Sequence, residues 1–323
     1  MSLPSRLLFL VAVVFLAIAP GSGEAKAAPA TAATALITQM QDAVGAASPS
    51  GTAETASQRL VKLADLLLAR SPMTLTTEID QLVASSGGSA GVTLVELGGA
   101  TPLVWSLNGG QVFTAASTYK LAALMLEAQR IAAGSADPHG LVCYEDSDYE
   151  DGWFSDYTDG ACYTRLELAQ RAGLKSDNTA GHMLVRDVGG AAVLNAWAAS
   201  AGATSSVFFT DNTTTSNDLA ALWSAEAEGK LGGATAQAWL YPLLEGTATE
   251  AGIPAGVASR STVVHKTGAI DLYEDDAALV VKGPNGAYVL TVMTDNVGGD
   301  AGWQLIASIS STVWNFEAAR SAG

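Results

Sequence analysis

The sequence has strand patterns at the two ends of a long region, and the residues between them have helical patterns. Near the start, Val92–Leu97 and Pro102–Leu107 are typical of two paired strands. Near the end, strand patterns occur at 261–265, 277–282 and 287–294. Asn285-Gly286, between the last two, is a strong hairpin turn. We therefore predict an α+β fold (α/β sandwich type), in which both ends of the chain build an antiparallel sheet of about five strands flanked by helices.

The residues from about 115 to 245 form the helical part of this pattern. Helices are predicted there at 119–132, 166–171, 180–188, 191–199, 217–228 and 234–244. Outside this stretch, helices are predicted at 54–70, where Pro72 ends the pattern, and at 76–85 and 301–318. The centre of the chain is therefore expected to be an all-helical lobe inserted between the strands.

The first 27 residues have the layout of a secretory signal peptide. Arg6 precedes the apolar run Leu7–Ala19, and Ala25-Lys26-Ala27 offers a cleavage site. The run is too short for an ordinary membrane span. We expect a secreted protein, extracellular or periplasmic, with no membrane span in its mature chain. A leader with one helix (28–72) would then precede the main domain (73–323).

Composition argues against several kinds of partner. A formal net charge of −16 repels nucleic acid and anionic membranes, although surface solvation alone explains the acidity at least as well. The three histidines, His139, His182 and His265, lack the spacing of a metal site, so no metal or cofactor is expected.

The two cysteines bracket an acidic segment. Cys143 and Cys162 flank seven Asp and Glu residues and no Lys or Arg. In an oxidising compartment the two thiols can pair and hold this segment as a loop.

Three motifs follow one another along the chain: Ser117-x-x-Lys120, Ser176-Asp177-Asn178 and Lys266-Thr267-Gly268. A serine at a helix start and a lysine one turn later share a face, so the amine can accept the hydroxyl proton if burial lowers its pKa. The second motif also fits a helix cap, and the third fits the end of an ordinary edge strand. As a set, they supply a nucleophile, a proton relay and an electrophilic strand edge for acyl transfer.

Together the motifs resemble the penicillin-recognising serine hydrolases, most closely the class A β-lactamase family. The resemblance covers about residues 74–318. It extends to four longer stretches in family order: FTAASTYKLAALMLEA, TRLELAQRAGLKSDNTAGHML, TDNTTTSNDLAALW and IPAGVASRSTVVHKTG. It implies that residues 73–323 are a catalytic domain that acts on a small-molecule β-lactam or a cell-wall peptide. A monomer is the default expectation for the mature chain.

The resemblance also implies roles for single residues. Ser117 would be the acylated nucleophile, Lys120 its base or proton carrier, and Ser176 the relay to the leaving nitrogen. Asn178 would hold the substrate's amide side chain. The substrate carboxylate would be bound at the strand edge by Lys266 and Thr267, with Gly268 keeping that edge open. Backbone N–H groups of Ser117 and Ala269 would form the oxyanion hole.

The chain departs from the family at the omega loop, whose E-x-x-L-N stretch carries the Glu that positions the deacylating water. Here Ser205–Asp211 runs straight into Asn212–Thr215, so the loop is deleted. Asp211 is either a replacement base or a turn residue.

Two further residues have open interpretations. The strand 277–281 lacks the Arg that often supports carboxylate binding, and Arg260 is either its substitute or a solvated residue at a strand start. Trp153, in the acidic segment, is either the aromatic wall of the cleft or plain hydrophobic support.

Three candidate functions remain, and they differ in what happens after Ser117 attacks its substrate. The first is a β-lactamase that opens the lactam amide and turns over. The second is a D,D-peptidase or related serine amidase or esterase. The third is a penicillin-binding sensor or wall-associated protein that is acylated without useful turnover.

Overall fold

The structure of the protein is a computed structural model that describes residue 62 and residues 65–321. The chain divides into two units, Met1–Ser71 and Pro72–Gly323. In the first unit residues 65–69 are helical. The predicted signal peptide and most of the predicted leader helix at 54–70 lie outside the described residues. No helix in the described part of the chain is long and apolar enough to cross a membrane.

The second unit carries the helices α1 (Pro72–Ser86), α2 (Tyr119–Ala132), α3 (Arg165–Leu174), α4 (Asn178–Asp187), α5 (Ala191–Ser200), α6 (Ser216–Ala227), α7 (Gly233–Leu240) and α8 (Gly299–Ser321). Its strands are β1 (Ser89–Glu96), β2 (Val104–Leu107), β3 (Phe113–Thr114), β4 (Leu141–Cys143), β5 (Cys162–Thr164), β6 (Thr213–Thr214), β7 (Val263–Ile270), β8 (Tyr273–Gly283) and β9 (Gly286–Asp295).

Five of these strands form one antiparallel sheet in the order β2-β1-β9-β8-β7. Strand side chains alternate between two faces. Leu279 and Val289 face the core shared with the helical lobe, whereas Val280 and Leu290 face a second core that includes residues of α1 and α8. This arrangement confirms the predicted α+β class and the sheet built from both ends of the chain.

The predicted end of the strand at 261–265 was wrong. β7 continues through Lys266, Thr267 and Gly268 to Ile270, so the third motif lies within an edge strand. The reason is tertiary, because β8 pairs with β7 along its whole length, including Lys266 with Ala277 and Gly268 with Asp275.

The helical lobe is arranged around α2. This helix is buried on nearly every side from Tyr119 to Ala128, including the charged residues Lys120 and Glu127. Caps set the starts of its neighbours: Thr164 accepts from the Glu167 N–H before α3, and Asp177 accepts from the Ala180 N–H before α4. The helix predicted at 234–244 ends earlier, at Leu240, and is followed by the short 3₁₀ turn Tyr241–Leu243, which contains Pro242.

Candidate active site

Ser117 lies in a tight 3₁₀ turn, Ala116–Thr118, that leads directly into α2. Edge strand β7 runs close beside this turn. A Cβ at Gly268 would come within 2.9 Å of the Ala115 carbonyl oxygen and 3.1 Å of the Ser117 amide nitrogen. Only glycine allows so close an approach, which explains the third residue of the Lys266-Thr267-Gly268 motif.

Lys120 is fully buried behind the serine. Its Nζ donates to Ser117 Oγ at 2.9 Å, to the Ser176 carbonyl at 2.7 Å and to Asn178 Oδ1 at 2.7 Å, which uses all three donors of an ammonium group. Burial lowers the pKa of Lys120 to about 8, although the charges of Glu150 and Asp177 raise it. Near neutral pH a useful fraction of the amine is therefore unprotonated and able to accept the serine proton.

Ser176 joins Lys120 to the second buried lysine. Ser176 Oγ accepts from Lys266 Nζ at 2.9 Å and lies 3.5 Å from Lys120 Nζ. Burial holds the pKa of Lys266 well below that of an ordinary lysine, and repulsion from Lys120 lowers it further, while Asp276 raises it. The hydroxyl between two amines provides a path for a proton from Lys120 toward the cleft.

Asp177, the middle residue of its motif, has a structural task. Its buried carboxylate accepts from the Trp153, Phe154 and Ala180 N–H groups and from the Tyr157 hydroxyl, at 2.6–3.2 Å. It therefore caps α4 and holds the loop that carries Trp153.

The acidic segment 143–162, called the acidic loop below, is closed by a disulfide and partly neutralised by arginines outside it. Cys143 and Cys162 form a disulfide across β4 and β5. Arg186 of α4 lies 2.8 Å from Asp148, and Arg171 of α3 lies 2.6 Å from Asp156. The segment without basic residues thus takes its counter-charges from two helices of the lobe.

Ser117 and Ser176 open onto a cleft of about 440 Å³. Its lining residues are Ser117, Gly152, Trp153, Ser176, Asn178, Thr249, Thr267, Ala269 and Trp303. Trp153 is 63% exposed, so the structure places it in the cleft wall and not in a core. Thr249 and Trp303 were missed by sequence reasoning, because no motif marks them and they reach the cleft from a loop and from α8.

The structure leaves Asp211 and Arg260 outside the cleft. Arg260 is exposed and precedes β7, whereas Thr267 and Ala269 line the cleft near the other end of that strand. Asp211 is exposed in the segment 205–215, called the short loop below. Phe209 of the short loop packs edge-on against the ring of Tyr119, at 5.6 Å between ring centroids.

His265 is buried on the opposite face of β7 from Lys266. Its ring lies 2.9 Å from Asp276 and 3.1 Å from Glu250, so it ties β7 to the loop that carries Thr249. Burial alone would lower the pKa of His265, but Asp276 and Glu250 raise it to about 9. Within the described residues, no three His, Cys, Asp or Glu side chains are grouped to hold a metal ion.

The family model described as the Beta-lactamase enzyme family matches residues 74–316. No curated protein sequence matches the chain.

Solved structures give closer comparisons. A variant of PBP-A, solved as an acyl-enzyme complex with penicillin G, is 27% identical and covers 75% of this chain and 95% of its own, with a TM-score of 0.70. An ancestral class A β-lactamase is 25% identical and covers 74% and 98%, with a TM-score of 0.64. A β-lactamase from Sphaerobacter thermophilus, 24% identical with 73% and 95% covered and a TM-score of 0.66, shares the fold.

Proposed function

Because the chain belongs to the Beta-lactamase enzyme family, we propose that it is a secreted serine hydrolase that opens the β-lactam amide through an acyl-enzyme on Ser117. One observation carries the proposal: the fully buried Lys120 amine lies 2.9 Å from Ser117 Oγ, and burial lowers its pKa to about 8. This is the geometry and the basicity that activate a serine.

The acylation step follows from these contacts. Unprotonated Lys120 takes the proton of Ser117 Oγ as this oxygen bonds to the lactam carbonyl carbon. The oxyanion is stabilised by the N–H groups of Ser117 and Ala269. The C–N bond then breaks, and the proton passes from Lys120 through Ser176 Oγ to the leaving nitrogen.

Substrate binding uses Thr267 and Asn178 of the cleft lining together with Lys266, which is buried and hydrogen-bonded to the lining residue Ser176. Lys266 and Thr267 bind the substrate carboxylate, and Asn178 holds the amide side chain. Lys266 also stays hydrogen-bonded to Ser176, so carboxylate binding and proton relay meet at one amine. Trp153 contributes an aromatic wall.

The short loop favours a second candidate function. It packs Phe209 against Tyr119 and leaves Asp211 exposed, so the acyl-enzyme lacks the base that resemblance to class A would supply. On this alternative, Ser117 is acylated and the acyl group is released slowly, as in a D,D-peptidase or a penicillin-binding sensor. The acyl-enzyme captured in the PBP-A variant supports it.

Export is part of the proposal. The Cys143–Cys162 disulfide supports an oxidising location outside the cytoplasm. The amino-terminal pattern of charge, apolar run and small residues supports the same location.

Turnover of a chromogenic cephalosporin, measured together with intact-protein mass after penicillin exposure, tests the proposal. We expect Ser117→Ala to lower activity by about a thousandfold or more and to abolish the mass adduct. Ser200→Ala, at an exposed serine that ends α5, is the control and should retain both. Reaction that persists in Ser117→Ala contradicts the assigned nucleophile.

The same two measurements separate the candidate functions. Repeated turnover supports the β-lactamase, whereas a persistent adduct supports the alternative. Release of terminal D-Ala from a peptidoglycan stem peptide then identifies a D,D-peptidase.

A further inference from the structure

Three non-glycine residues with positive φ lie in the turn of the nucleophile and in the short loop. Ala116, directly before Ser117, has φ +42°, while Phe209 and Asn212 of the short loop have φ +73° and +49°. Such backbone conformations are uncommon outside glycine, and they persist only where the surrounding contacts enforce them. Contacts from the short loop are therefore expected to hold the turn that carries Ser117.

Asn212 makes two hydrogen bonds to this turn. Its side-chain Nδ2 donates to the Ala116 carbonyl at 2.8 Å, and its own carbonyl accepts from the Ala115 N–H at 2.7 Å. Asparagine suits the position, because it adopts positive φ more readily than most residues. One residue of the short loop thus fixes both residues that precede the nucleophile.

The Ala116 carbonyl and the Ser117 N–H belong to one planar peptide unit. A hydrogen bond to the carbonyl fixes the plane of this unit and thereby the direction of its N–H. It also polarises the unit, which strengthens the N–H as a donor. On the other side, Gly268 lets β7 pass close to the Ser117 amide nitrogen.

We propose that Asn212 is a positioning residue of the oxyanion hole, which orients the Ala116–Ser117 peptide so that the Ser117 N–H meets the oxyanion. This inference rests on the proposed function, because it assigns a role in the acylation of Ser117. The short loop then supports acylation, whereas the loop that it replaces in the class A family serves deacylation.

Two substitutions of Asn212 test the proposal. Asn212→Gly keeps the freedom to adopt positive φ and removes the amide group. Asn212→Asp keeps the shape of the side chain and replaces the donor with a carboxylate. Asn108→Gly is a matched control, because Asn108 also has positive φ and also donates from Nδ2 to a carbonyl, that of Ala90, with neither residue lining the cleft.

Stopped-flow acylation by benzylpenicillin gives the rate constant of acylation separately from the dissociation constant of the initial complex. We expect both Asn212 variants to lower the rate constant by about 10- to 100-fold, less than complete loss of an oxyanion donor can cost. The dissociation constant should change by less than about threefold, because the substrate-binding side chains are untouched. Asn108→Gly should leave the rate constant unchanged.

A boronic acid that forms a tetrahedral adduct with Ser117 provides a second readout. An oxygen on the boron of the adduct occupies the position of the oxyanion. The affinity of the boronic acid for each Asn212 variant should therefore fall in parallel with the rate constant of acylation. Thermal denaturation of the same samples identifies unfolding, and Asn212→Asp remains available if Asn212→Gly does not fold.

Three results overturn the inference: a wild-type acylation rate in Asn212→Gly, a loss confined to the dissociation constant, or an equal loss in Asn108→Gly. Absence of acylation in the wild-type protein would instead contradict the proposed function.

Discussion

At the scale of single residues, the site has two buried amines that share one serine hydroxyl. Lys266 Nζ donates to Ser176 Oγ at 2.9 Å, and Lys120 Nζ lies 3.5 Å from the same oxygen. Two protonated amines so close together repel each other, and burial adds to this cost. The pair therefore favours loss of a proton, which leaves one amine free to accept the proton of Ser117.

The acylation rate should rise with pH and reach half its maximum near pH 8, where Lys120 loses its proton. Glu150 raises the pKa of Lys120 by its charge, so Glu150→Gln should move the midpoint to lower pH. The measurement is the second-order acylation rate constant between pH 6 and about pH 10. Asp159→Asn, in the same acidic loop, is the control and should leave the midpoint in place, whereas an unmoved midpoint in Glu150→Gln would refute the assigned electrostatics.

Sequence reasoning at this scale found the motif residues but not every role. Ser117 and Lys120 were recognisable because a serine and a lysine one helical turn apart must share a face. Three of the four hydrogen bonds of Asp177 were not, because Trp153, Phe154 and Tyr157 lie 20–24 residues before it and reach the carboxylate only in the folded loop.

At the scale of elements, the acidic loop depends on its crosslink and its outside partners. Cys143→Ser combined with Cys162→Ser should lower the free energy of unfolding by about 3 kcal/mol, the usual effect of closing a loop of this length. Denaturant unfolding with and without a reductant measures it. The reductant should destabilise the wild-type protein and leave the double variant unchanged, and equal sensitivity of both would be inconsistent with a stabilising disulfide.

The loop that carries Thr249, before β7, is expected to be stabilised by the protonated ring of His265. Its folded pKa of about 9 lies above the ordinary value of 6.5. Its stabilising contribution is therefore complete below pH 6.5 and is lost as the pH rises through about 9. Glu250→Gln removes one of the two carboxylates that face the ring and should lower Tm at pH 7 but hardly at all at about pH 10.

Glu245→Gln, at an exposed carboxylate of the same loop, is the control for this prediction and should not change Tm. A constant deficit of Glu250→Gln at every pH would show that the lost stability has another origin.

At the scale of the whole molecule, the protein buries carboxyl groups that prefer to be protonated. Burial, together with the neighbouring Glu96 carboxylate, raises the pKa of Glu317 to about 8. Burial also raises the pKa of Glu226 to about 7 and that of Asp275 well above its ordinary value. A raised folded pKa means that stability is greatest below the unfolded pKa and falls as the pH rises. The molecule should therefore be more stable at mildly acidic pH than at alkaline pH.

Glu317→Gln tests this behaviour, because Gln imitates the protonated acid. We expect the variant to have a higher Tm than wild type at pH 8 and a flatter dependence of Tm on pH, since the loss between pH 4.5 and 8 is removed. Calorimetry over this range measures it. Glu78→Gln, at an exposed glutamate in α1, should reproduce the wild-type curve, and a Glu317→Gln protein that keeps the wild-type slope would disprove the explanation.

The sequence by itself determined the type and order of the main elements and the reactive groups that the three motifs carry. Helical and strand periodicity, caps such as Asp177 and the Asn285-Gly286 turn act over a few residues, so a single chain displays them. Only the tertiary structure decided the extension of β7 through Gly268, the arrival of Thr249 and Trp303 at the cleft, the contact of Asn212 with the nucleophile turn, and the raised pKa of Glu317. Each of these depends on which distant surfaces pack together and exclude water, and no local pattern in the chain records that.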